Sequence, residues 1–249
     1  MLQNAGDEPP HFPMRVSVFL DQSERYLRRG DIILSRNNTL ASWLIRITTG
    51  GYFSHAALVF LLPRRDEGLD STYVLESVTT GVGVGNFGRW VNGQGAIEQV
   101  AILRLEGTGI DVDFFNKVAG LMLEYVNASY DYGRVVSKAV SIIFGIQSQI
   151  AKLKRGRASI RPWIPKSFIC SGYIQYGLIE AMRRRKNDPS TVILKTGLGV
   201  NDRDGILAVL PEDIATSAKP IWLYVVRRGW VHQVNSYEEA RKTISDAQS

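Results

Sequence analysis

Ser54-His55-Ala56-Ala57-Leu58-Val59-Phe60-Leu61-Leu62 is a run of apolar, strand-forming residues with an imidazole near its head. The stretch from His55 to Leu62 predicts a buried β-strand. A histidine entering such a run needs a hydrogen-bond partner, because an unpartnered imidazole in a core is unfavourable. Farther on, Glu76 interrupts a second apolar strand, Tyr73 to Val78. If the two strands are neighbours, its carboxylate bonds one ring nitrogen of His55 and leaves the other facing a cleft.

Cys170 is the third member of this group and the single cysteine of the chain. Pro162 and Pro165 break the chain just before it, and apolar residues recur at helical intervals from Cys170 to Met182, which places the thiol in the first turn of a helix. The unpaired amides and the macrodipole there favour a thiolate, and an adjacent imidazolium would lower its pKa further. Cys170 as nucleophile, His55 as general base and acid, and Glu76 as orienter would form a hydrolytic triad. First-turn amides, that of Cys170 included, would supply part of an oxyanion hole. Residue types alone leave the bland reading open, in which the sulfur is a small core group and the imidazole a satisfied structural one.

Working outward, Arg29 to Ser35 reads as a turn entering a short strand, with Gly30 taking positive φ. Leu40 to Ile47 has helical spacing, Thr39 is its N-cap, and the helix stops before Gly50-Gly51. Ile97 to Leu105 is a strand with blurred alternation, and Asp113 to Val126 an amphipathic helix. Ile206 to Leu210 is a short apolar run, Pro211 to Ala215 a helical turn, and Ile221 to Val226 a terminal strand. Ser236 and Glu239 have capping-box spacing for a final short helix. Strands first and helices later indicate an α+β layout. Gly83 to Gly88 matches G-x-G-x-x-G, but it opens no helix inside a βαβ unit, so it is read as a flexible cleft-edge loop and not as a nucleotide site.

The 249 residues, 45% hydrophobic and 22% charged, are enough for a full core without disulfides. One cysteine excludes an intramolecular disulfide framework and a multi-cysteine zinc ribbon. The three histidines are far apart and the carboxylates form no ligand pattern, so neither a metal nor a cofactor is expected. The net charge is +6, and its placement is uneven. Arg134 to Lys166 holds eight basic residues and no acid; thirty lysines and arginines less these eight leave 22 against 24 acids elsewhere. Two readings of this segment stand side by side: a solvated loop, or a site for an anionic partner or membrane surface. Its first half, Val135 to Ile150, is apolar enough for an amphipathic helix but too interrupted to span a membrane. Arg183-Arg184-Arg185-Lys186 is read as a helix C-terminus completed by cations. No regular aromatic interleaving, helix-turn-helix or zinc-finger spacing supports specific nucleic-acid binding. The start carries no secretory pattern, which makes a cytoplasmic location the expectation.

Taken together, Gly30-Asp-Ile-Ile-Leu34, Tyr52-Phe-Ser-His55, Val74-Leu-Glu76-Ser77 with Gly81-Val-Gly-Val84, Tyr130-Asp-Tyr132, Phe168-Ile-Cys170-Ser-Gly-Tyr-Ile174 and Leu210-Pro-Glu-Asp-Ile214 resemble the permuted papain-like NlpC/P60 group, and within it the YaeF/YiiX amidase-type family. The resemblance spans about residues 29 to 218. It implies a circularly permuted papain-like fold: a small antiparallel curved sheet packed against the helix that carries the nucleophilic cysteine. It also implies Cys170 as nucleophile, His55 as base and Glu76 as third member, acting on amide bonds of a peptide or protein. The wider fold also serves thioester and lipid acyl chemistry, so a thioesterase, a lipid acyl hydrolase or acyltransferase, and a non-catalytic binding module using the basic insert are the alternatives. The expected organisation is an N-terminal arm (1–28), a catalytic domain (29–230) with the insert at 134–166, and a C-terminal tail with a short helix (231–249).

Overall fold

The computed structural model describes residues 11–78, 81–92, 97–125, 129–130, 167–168 and 170–245. The basic insert, with the expected helix from Val135 to Ile150 and the break at Pro162 and Pro165, lies outside the described residues.

Eight strands form one sheet in the order β1 (Met14–Arg15), β10 (Trp230–Gln233), β9 (Pro220–Arg227), β6 (Ile97–Leu105), β2 (Ile32–Asn37), β3 (His55–Leu61), β4 (Tyr73–Val78) and β5 (Gly81–Asn86). Every pairing in this sheet is antiparallel. Two short strands, β7 (Ser129–Tyr130) and β8 (Ser167–Phe168), pair in parallel beside it. The layout is α+β, with more strands than a small sheet.

Helices cover both faces. On one side Ile32, Leu34, Leu58, Leu75, Ala101 and Leu103 pack against α5 (Val112–Leu123), α6 (Cys170–Arg184), α7 (Arg203–Leu207), α8 (Pro211–Ala215) and α9 (Tyr237–Ser245). On the other, Ile33, Ala57, Val59, Val74, Val100 and Ile102 meet α1 (Val16–Asp21), Leu27 and α4 (Phe87–Val91), with α2 (Ser23–Tyr26) alongside. Successive strand residues enter different cores, so both must be apolar. This is why the alternation in Ile97 to Leu105 is blurred.

Local signals explain most elements. Thr39 accepts a hydrogen bond from the Ser42 amide at 3.2 Å and opens α3 (Leu40–Thr49), which ends at Gly50 with a left-handed φ of 64°. Gly30 has φ 87°, and a β-carbon there would overlap the Phe115 ring. Ser236 caps α9 through the Glu239 amide at 3.1 Å, while the Glu239 carboxylate reaches back to the Asn235 amide at 2.8 Å. Met14 to Leu27 is tied into the fold through β1 and the second core.

One segment differs from expectation. Gly83 to Gly88 is not a loop: Gly81–Asn86 forms β5, paired with β4 along its whole length, and Asn86 then caps α4 through the Arg89 amide. The apolar run at Ile206 to Leu210 begins inside α7, whose N-cap is Asp202.

Candidate active site

His55 opens β3, paired with Ser35 of β2. The β3–β4 ladder closes with Ala57 opposite Glu76, so His55 and Glu76 are diagonal neighbours on one face. Their side chains meet: His55 Nε2 lies 2.8 Å from Glu76 Oε2. Beyond that last pair β4 no longer borders β3, and the sulfur of Cys170 takes the opening. It accepts from the backbone N–H of Ala56 and, at the head of α6, from that of Ser171, and it hydrogen-bonds the His55 ring. With Nε2 engaged by Glu76, Nδ1 is the ring atom left for the sulfur.

Both groups are buried, Cys170 at 3% exposure and His55 at 8%. Burial disfavours an imidazolium, yet the sulfur and then the Glu76 carboxylate outweigh it and push His55 up to about 10. Burial likewise disfavours a thiolate, yet the His55 charge, its hydrogen bond and the two amides hold the thiol below its ordinary range. Both shifts lean toward the charged forms, the direction that favours a thiolate beside an imidazolium.

The surroundings hold this geometry. Trp90 of α4 packs against the His55 ring at 5.3 Å. Gly83 lies opposite Glu76 on β5, and a β-carbon at Gly85 would overlap Glu76 Oε1. Gly85, in the stretch Gly81-Val-Gly-Val-Gly85, thus leaves room for the carboxylate. The glycine period of two was the available strand signal, hidden inside a formal nucleotide motif.

The structure brings Cys170, His55 and Glu76 together, and the other histidines stand apart. His232 is on β10, four strands from β3, and burial lowers its pKa. His11 precedes β1. Arg183, Arg184 and Arg185 turn to different partners: Glu180 and the Val200 carbonyl, Glu124 at 3.6 Å, and both oxygens of Asp111. Residue types alone did not single out Trp90 or the Ala56 amide. Among the described residues no cluster of three or more histidine, cysteine or acidic side chains could hold a metal ion, and no helix is long and apolar enough to cross a membrane.

No family model matches the sequence. No curated protein matches it either. A solved structure with a similar chain trace is the metalloprotein YiiX of Escherichia coli O157:H7, a DUF1105 protein, with 17% identity over 80% of this chain and 97% of that one and a TM-score of 0.42.

Proposed function

We propose that this protein is a cysteine hydrolase of amide bonds, with Cys170 as nucleophile, His55 as acid and base, and Glu76 as the residue that orients the ring. The observation that carries the reading is His55 bonded on one side to a sulfur at a helix head and on the other to a carboxylate. The order along the chain, base strand, acid strand, then nucleophile helix, is the one the permuted papain-like arrangement requires.

The Cys170 thiolate attacks the substrate carbonyl carbon, forming a C–S bond and an oxyanion. The Ala56 and Ser171 amides, which donate to the sulfur, are the donors assigned to that charge. The oxyanion collapses, the C–N bond breaks, and the His55 imidazolium gives its proton to the departing amine. Neutral His55 then takes a proton from water, which attacks the acyl carbon. The C–S bond breaks, the carboxylic acid and the thiolate are released with the imidazolium restored, and the acid product then loses its proton to solvent.

A chloroacetamide probe should label Cys170 in wild type at a pH well below the ordinary thiol range, and His55→Ala should label on the order of 10² times more slowly there. Turnover measured on peptide, isopeptide, thioester and phospholipid panels, with Cys170→Ala as blank, assigns the bond. Labelling no faster than that of an ordinary cysteine would falsify the reading. Turnover of thioesters or lipids without amides would move it to acyl chemistry on the same residues.

A further inference from the structure

Four consecutive amides lead into His55, and each has an acceptor. Gly51 donates to Thr49 Oγ1 at 3.2 Å and Ser54 to the Ser35 carbonyl at 2.9 Å. Tyr52 and Phe53 donate to one atom, Glu212 Oε2, at 2.7 and 3.4 Å. Glu212 is 160 residues from Tyr52 in sequence, at the head of α8. Its other oxygen accepts from the Tyr237 hydroxyl. A β-carbon on Gly51 would stand 2.9 Å from Glu212 Cβ, so this loop lies tight against the acid.

The residues just before Glu212 grip the other half of the site. Ser171, next to the sulfur, donates its buried hydroxyl to the Val209 carbonyl at 2.6 Å. Gly172 lies so close to the Leu207 carbonyl that a β-carbon there would overlap it. One short stretch, Leu207 to Glu212, therefore touches the first turn of the cysteine helix at one end and the loop before the histidine strand at the other.

We infer that Leu207 to Glu212 is a strut that sets the separation of Cys170 from His55, and that Glu212 is a positioning residue for the thiolate–imidazolium pair; this rests on the reading of those two residues given above. The Glu212 oxygens are engaged by the Tyr52 and Phe53 amides and the Tyr237 hydroxyl, so the residue acts through the loop. Thiolate–imidazolium stabilisation falls steeply as the hydrogen bond lengthens, so a loosened strut changes the pH dependence of the sulfur.

The test is the pH profile of chloroacetamide labelling at Cys170 in the full chain. Glu212→Ala is expected to raise the midpoint by one pH unit or more, which is about tenfold slower labelling on the acid side. Glu212→Gln, which keeps an acceptor for the two amides, should recover most of that loss. Ser171→Ala reads the other end of the strut if Glu212→Ala does not fold, and should shift the midpoint in the same direction. Arg185→Ala, which breaks the ion pair with Asp111 far from the site, is the control for lost stability and should leave the midpoint in place. A shifted wild-type thiol that Glu212→Ala and Ser171→Ala leave unchanged overturns the strut alone. An ordinary wild-type thiol overturns the site reading and the strut with it.

Discussion

Strand β2 has a buried ionic group near each end. At one, Asp31 is clamped by Arg104 through Oδ1 at 2.7 Å and Oδ2 at 2.8 Å, and the guanidinium also donates to the Tyr26 carbonyl at 3.0 Å. At the other, Ser35 stands opposite His55. The ends are about 13 Å apart along the strand, yet their electrostatics have opposite outcomes. For Asp31, burial outweighs Arg104 and the carboxyl is raised above its ordinary range. For His55 and Cys170, the partners outweigh burial, and both are held toward the charged form. Burial is common to both ends; the balance of charges around the buried group is what distinguishes them. The Asp31 end borders a cavity of about 700 Å³. Among the charged groups lining the cavity, Arg28 pairs with Glu106 and Arg64 with Glu67.

The largest expected effect separates stability from chemistry. Arg104→Leu leaves Asp31, whose side chain is 1% exposed, without its cation. Breaking one partner of such a pair costs about 3–5 kcal/mol, roughly 150- to 5000-fold in the folding equilibrium. The pH profile of Cys170 labelling in the folded fraction should not move. The measurement is urea unfolding beside labelling, and a midpoint that follows Arg104 would join the two ends into one electrostatic unit. The raised Asp31 pKa adds a sign: its contribution is greatest in acid and declines as pH rises through the folded value. The wild type should therefore gain little from that pair at neutral pH over a double apolar replacement.

Legibility in the sequence follows burial on each side. Tyr73–Val78 and Ile97–Leu105 were readable because a strand covered on both faces is apolar at nearly every position. The helix from Cys170 was readable because Pro165 precedes it and cations end it. Three strands at or near the sheet edges escaped, for different reasons. β1 has two residues and β10 four, too short for a period to show. β5 replaces one face by glycine, so its alternation is of presence and absence of side chains. His55, Glu76 and Cys170 stood out because polar groups inside apolar runs demand partners. The Ala56 amide, being backbone, leaves no trace in residue type, and Glu212 lies in a helical turn whose role depends on a loop 160 residues away.

The next effect sharpens the reactive end. Glu76→Gln keeps an oxygen for the ring and removes the charge that helps hold His55 up. The imidazolium is then lost at lower pH, so the alkaline limb of turnover, near about 10 in wild type, moves down by about one to three pH units. At the wild-type limb this is a loss of roughly 5- to 500-fold, shrinking toward neutral pH. A pH–rate profile decides it. An unmoved limb means that Glu76 orients the ring without charging it.

The smallest effect is the most diagnostic, because stability and activity should move in opposite directions. Gly85→Ala places a methyl where Glu76 Oε1 now sits, and the atom in the way is the tip of a flexible side chain. The carboxylate can swing aside without disturbing the ladder, and alanine in a strand interior is worth about 0.5–1 kcal/mol over glycine. Thermal unfolding should therefore stay level or rise slightly. Turnover should fall about three- to tenfold, with the alkaline limb shifted in the same direction as in Glu76→Gln. Gly83→Ala is the matched control: it lies opposite Glu76 in the same strand, but a β-carbon there meets nothing within 4 Å. If both alanines behave alike, the glycine spacing of β5 serves the strand and not the carboxylate. If only Gly85→Ala lowers activity, the glycine at that position is there because His55 needs a charged neighbour in a fixed place.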